Sequence, residues 1–244
     1  MIPELQIYLL TSTVFVVATV GFLWWTYRQQ SHLRRWSYLM VVGALAMQFA
    51  YVLMWLEVLT VESAAGEPVP QARFVGYAVW WGITIHIISE ASGASWRLRI
   101  VTVVFSYGTF LSVLAGWHLT EPASYVTSVL VLVCLGTVIG LLYVYHAHAA
   151  RSVTGERRLL FGKVRNLTVL VWLIFTTLGL LSRQNPGLID VFTGPMIGSY
   201  LDVIHVVGVG IILLRSTDAL DDMAAVRSEA SEETSSEEAT SPAS

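Results

Sequence analysis

Lysine is almost missing from this 244-residue chain, which holds Lys163 and no other. It falls in a basic loop, 151–165, which overlaps only the mouth of the sixth apolar stretch, so no primary amine is available in the apolar interior. An imine with an aldehyde group is thereby excluded there. Cysteine is equally scarce, and a lone Cys134 rules out an internal disulfide. Charged residues are few as well, 13% against 55% hydrophobic. A water-soluble domain of this length could not carry that balance on its surface without aggregating. The chain reads as a membrane protein.

Seven apolar stretches fall at 5–27, 36–60, 70–91, 97–117, 123–147, 159–182 and 195–216. Each can cross a hydrocarbon layer of about 30 Å as a tilted helix. Peptide groups in that layer must bond within their own segment, and the β-barrel alternative needs polar and apolar residues to alternate. Runs such as VLVLVCLGTVIGLLYV do not alternate. The expected fold is an all-α membrane protein, a bundle of seven transmembrane helices spanning 1–217.

Positive charge sets the orientation. Arg28, Arg34, Arg35, Arg97, Arg99, Arg151, Arg157, Arg158, Lys163, Arg165, Arg215 and Arg227 fall on one side; the other has Arg183, with Arg73 just inside the third span. The N-terminus is therefore expected outside and the C-terminus in the cytoplasm, with the first span a membrane anchor and not a cleaved signal peptide. From 218 to 244 the composition turns acidic, with Asp218, Asp221, Asp222, Glu229, Glu232, Glu233, Glu237 and Glu238 against Arg227 alone. Such a segment buries too little apolar surface to offset its ordering entropy, which predicts a disordered cytoplasmic tail.

Three stretches carry a family resemblance. Arg165-Asn166-Leu167-Thr168-Val169-Leu170-Val171-Trp172 resembles the opening of the sixth helix of microbial (type 1) rhodopsins, and Leu201-Asp202-Val203 with Gly208 to Ser216 resembles their seventh. Ala72-Arg73-Phe74 is similar to their Ala-Arg-Tyr in the third helix, and Tyr51 sits where they have a pocket tyrosine. The likeness covers about 5–217, is specific in the last two helices, and thins in the fourth and fifth. Thirteen arginines to one lysine, with an acidic tail, suit a salt-rich haloarchaeal cytoplasm.

Placed on that family, the chain shows a set of losses. The retinal-bearing lysine corresponds to Val206, the primary counterion to Gly76, the neighbouring pocket tryptophan to Tyr77, and the threonines and proline that follow to Trp80, Trp81 and Gly82. The cytoplasmic proton-donor position falls on Ile87 and the proton-release carboxylate on Gly194. Trp172 remains on the sixth helix, with Phe175, Thr176 and Gly179 replacing tyrosine, proline and tryptophan. Arg73 and Asp202 stay. The resemblance thus implies a vestigial pocket of Tyr51, Tyr77, Trp80, Trp81, Trp172, Phe175 and Val206, with no covalent retinal and no other cofactor. A missing chromophore leaves a costly cavity, so Trp80 or Trp81 is expected to swing inward, with Gly179 giving room.

Other candidates come from the residues themselves. Asp202 lies about two turns into a spanning helix, where an ionisable group faces the bundle and finds a partner; Arg73 is the obvious one. His205, three residues on, lies within reach of Asp202. Arg73, Asp202 and His205 read either as a buried structural cluster or as a pH or ion sensor. His86 and Glu90 suit an interfacial pair. His146 and His148, two apart, point to different faces, and no metal is expected. Gly136/Gly140 and Gly194/Gly198 have the spacing of close helix contacts, within the bundle or in a homo-oligomer.

Nothing resembles a phosphate loop, a nucleophile triad or a zinc motif, so neither an enzyme nor a nucleic-acid binder is expected. The leading expectation is a rhodopsin-like protein of the cell membrane without covalent retinal, a non-photoactive signalling or scaffolding partner of a membrane or cytoplasmic protein. The alternative is a photoreceptor or light-driven ion transporter that binds retinal or another polyene without a covalent bond.

Overall fold

In a computed structural model, described over residues 4–64, 66, 68–181, 189 and 193–226, the seven apolar stretches are seven long helices. They are α1 (Glu4–Arg28), α2 (Arg34–Trp55), α3 (Ala72–Ser92), α4 (Trp96–His118), α5 (Ala123–Ala149), α6 (Gly155–Leu181) and α7 (Thr193–Leu214). Neighbours in sequence pack side by side, α7 closes the ring on α1, and α3 reaches across to α6. The outside is apolar, with Leu10, Val17 and Val126 more than 60% exposed, as a lipid-facing surface requires. The protein is a multi-pass membrane protein.

Six of the seven helices are long and apolar enough by composition to span a membrane. The seventh, α3, carries Arg73, Trp80, Trp81, His86 and Glu90, and it is also the most enclosed helix. Arg73, Trp80 and Trp81 face other helices, so it needs less apolarity than its neighbours. Two tight connections frame it. Gly93 ends α3 in the left-handed conformation (φ 67°), where a Cβ is disfavoured, and Ser95 caps α4 by accepting from Leu98 N–H.

Four features differ from the sequence expectation. α2 stops at Trp55, and the chain turns through Glu57 and Leu59, both at positive φ, into an antiparallel hairpin of β1 (Thr60–Glu62) and β2 (Pro68–Pro70). The turns of α5 widen to π-type over Leu141–His146. Lys163 is not in a loop: α6 begins at Gly155, and Lys163 is an exposed position on that helix. The expected disordered tail is corrected over its first part, because 217–226 is a helix, α8. Ala219, Leu220 and Met223 of α8 are buried in the core cluster, while Asp221 bonds His32 at 2.7 Å and Asp222 accepts from Thr154 Oγ1 at 2.7 Å. Apolar residues at i, i+1 and i+4 supply the docking face that charge counting overlooked. Arg183 and residues 227–244 lie outside the described residues.

Candidate functional site

The interior polar groups of α3 and α7 meet in steps. A Cβ built on Gly198 would lie 3.0 Å from Nη1 of Arg73, so this glycine is what lets the guanidinium lie against α7. Arg73 Nε is 3.4 Å from Asp202 Oδ2, and Nη2 donates to Tyr51 Oη (2.9 Å) and Ser199 Oγ (3.4 Å). Tyr51 donates onward to Asp202 Oδ2 at 2.6 Å, and Tyr77 donates to Oδ1 at 3.0 Å. Asp202 is 2% exposed, yet both its oxygens are occupied and a cation stands beside it. That arrangement answers the desolvation of a carboxylate in an apolar interior.

One turn along, Trp80 Nε1–H donates to His205 Nδ1 at 3.0 Å, and His205 Nε2 lies 3.2 Å from Thr168 Oγ1 on α6. The indole N–H fixes the tautomer, since Nδ1 must accept and Nε2 must carry the proton. The partners of His205 are therefore Trp80 and Thr168, and the expected three-residue cluster divides: Arg73 and Asp202 form one unit, His205 another. Trp80 owes its place to Gly43 on α2, where a Cβ would sit 2.5 Å from the indole. Gly179 was expected to give that room, but a Cβ there would meet nothing within 4 Å.

Trp81 turns to α6. It stacks on Trp172 with ring centroids 4.4 Å apart and meets the edge of Phe110 at 5.6 Å, while Tyr77 bridges Trp81 (6.0 Å) and Phe175 (5.8 Å). Both tryptophans of α3 are buried, as is Val206. The Nε1–H of Trp172 is buried without an acceptor among the described residues. Gly76 is a point of close helix approach: a Cβ there would lie 2.9 Å from Met47 Sδ and 3.0 Å from Ala50 Cβ.

The remaining candidates separate. His146, turned inward by the π-type stretch, is fully buried between Ser92 Oγ (2.9 Å) and Thr102 Oγ1 (3.0 Å), whereas His148 is exposed. Glu90 bonds Arg99, and His86 stacks on Trp36. Gly136 and Gly140 face away from the bundle, since a Cβ on either would meet nothing within 4 Å. Sequence reasoning did not foresee Tyr77 as a donor to Asp202, Trp80 as the partner of His205, or the roles of Ser199 and Thr168. The readable signal was the constant spacing between α3 and α7, which run parallel.

Comparison with known proteins now bears on this geometry. The bacteriorhodopsin-like protein family matches residues 4–220. Sensory rhodopsin-2 of Haloarcula vallismortis and sensory rhodopsin II of Haloarcula marismortui are each 31% identical over 182 residues, 74% of this chain and 76% of theirs. Among solved structures, thermophilic rhodopsin from Rubrobacter xylanophilus superposes with a TM-score of 0.85 at 17% identity, covering 91% of this chain and 100% of that one. The light-driven proton pump rhodopsin of Coccomyxa subellipsoidea gives 0.80 at 17%, covering 87% and 96%. These two likenesses concern the fold. Members of this family bind retinal as a chromophore, and the expectation of a protein without any cofactor is overturned by that finding.

Proposed function

The chain belongs to the bacteriorhodopsin-like protein family, and from that premise we propose that it is a sensory membrane protein that holds retinal or another polyene among its interior rings without a covalent bond. Such a polyene supplies absorption of visible light. The residues do not fit an imine: Lys163 is exposed, and the buried position one turn beyond Asp202 is Val206. They suit an unbonded polyene better. Trp81, Trp172, Tyr77 and Phe175 offer polarisable ring faces. The observation that carries the reading is the Trp172 Nε1–H, a buried donor without an acceptor among the described residues, which matches the oxygen that an unreacted aldehyde or alcohol end keeps. Trp81 and Trp172 touch, so entry requires that stack to part.

Sensing is favoured over ion transport because Asp202 has both oxygens engaged, and Gly76 and Ile87 carry no proton-exchanging group. With its N-terminus outside, the protein would present the face formed by the α1–α2 and α5–α6 loops and α8 to the cytoplasm. A sensor without an enzymatic group needs a partner to carry its signal, and that face would meet it. A second reading, a signalling or scaffolding partner with an input other than light, is supported by the closeness of the Trp81–Trp172 stack.

Adding all-trans retinal to the purified protein tests the choice. The expected result is an induced circular-dichroism band from bound polyene, together with an intact mass unchanged after borohydride. Absence of the band defeats the polyene reading, and a borohydride-fixed adduct defeats the non-covalent one.

A further inference from the structure

Along α3, residues 80–92 are buried except at Gly82, His86 and Glu90, each four positions from the next. The same stripe continues toward the hairpin as the exposed Val79 and Val75, so it is the face of α3 turned to the lipid. α2 and α4 pack on either side of it and scarcely touch each other, which leaves a groove with α3 as its floor. At the end near the α3–α4 loop the groove becomes polar. Trp36 of α2 stacks on His86 with centroids 5.9 Å apart. Arg99 of α4 bonds one oxygen of Glu90, and Arg35 of α2 stands 3.9 Å from the other.

The charges do not close. Two guanidinium groups face one carboxylate, and Nε–H of Arg99 is buried without an acceptor among the described residues. A lone positive charge at the edge of a hydrocarbon layer is costly, and a singly charged anion on Arg35 and Arg99 removes that cost. The apolar stretch of the groove next to Val79 suits acyl chains. We infer that the α2–α4 groove binds the headgroup of an anionic phospholipid, its phosphate on Arg35 and Arg99 and its chains running along α3 toward Val79 and Val75. Guanidinium forks match phosphate oxygens.

The full-length protein is placed in nanodiscs of phosphatidylcholine, with or without phosphatidylglycerol, and its thermal unfolding midpoint recorded; a third arm adds inorganic phosphate to the neutral discs. Phosphatidylglycerol is expected to raise the midpoint by several degrees and free phosphate to leave it unchanged. The Arg35→Gln/Arg99→Gln variant is expected to lose the rise, whereas Arg34→Gln/Arg97→Gln, with the same loss of charge on exposed positions, keeps it. Equal midpoints in the two lipids, a rise reproduced by phosphate alone, or an equal loss in both variants overturns the proposal. Should the first variant not fold, native mass spectrometry of the wild type decides: a retained phosphatidylglycerol is expected, and none overturns it.

Discussion

Trp80 on α3 meets His205 on α7 at a separation of 125 residues, the same separation at which Tyr77 meets Asp202 three residues earlier. Equal offsets arise only between parallel helices in fixed register, so the two contacts are successive rungs between one pair of helices. The lower rung carries charge and the upper one is neutral, and they lie within a single helical turn.

The upper rung should behave as a unit. His205→Leu leaves the indole N–H of Trp80 without an acceptor, a loss of about 1–3 kcal/mol. Trp80→Phe strips His205 Nδ1 of its donor and should destabilise by a similar amount. The double variant is expected to lose clearly less than the sum, as read from unfolding midpoints in detergent. Strict additivity would mean that the two side chains do not interact.

The lower rung makes a sharper claim. Arg73→Gln strands Asp202 as a buried carboxylate and should destabilise by about 3–5 kcal/mol, the usual result of breaking a buried pair from one side. Adding Asp202→Asn removes the stranded charge, leaves Tyr51 and Tyr77 an amide oxygen to bond, and should recover part of the loss. A double variant no more stable than Arg73→Gln would show that the ion pair is not what holds the carboxylate.

Much of this was legible in the residues. Uninterrupted apolar runs fixed the helix count, because no other backbone satisfies its peptide groups in lipid. Arg73 and Asp202 could be paired because charges inside a bundle need partners. What escaped depends on rotation and register. Nothing in the string shows that Gly43 opens space for Trp80 and Gly179 does not, or that Gly136 and Gly140 face outward. The π-type turns that rotate His146 inward have no sequence mark here. The tail was read by its charge, and the buried Ala219, Leu220 and Met223 that dock α8 were overlooked among the acids.

That docking can be measured by hydrogen exchange. Leu220 is 2% exposed, so Leu220→Ser should undock α8 and raise exchange over 217–226, with a smaller rise at the α1–α2 loop. Asp221→Asn should do much less, because its partner His32 and Asp221 itself are each nearly half exposed, and pairs of that kind contribute about 0.2–1 kcal/mol. Equal effects from the two variants would mean that charge, and not burial, holds the helix.

Trp81 should govern access to the aromatic interior. Trp81→Thr removes one face of the 4.4 Å stack on Trp172, so it is expected to raise the amount of retinal taken up several-fold while the polyene stays extractable. Adding Val206→Lys to that variant introduces an amine four residues, one helical turn, beyond Asp202, whose carboxylate can then balance a protonated imine. The combined variant should form a pigment that hydroxylamine bleaches and borohydride fixes to the protein. Val206→Lys alone should form little, because Trp81 still fills the space, and its buried ammonium should lower the unfolding midpoint. Pigment yield from the single variant equal to that of the combined one would show that Trp81 does not control entry, and the assignment of the ring cluster as the polyene site would fail with it.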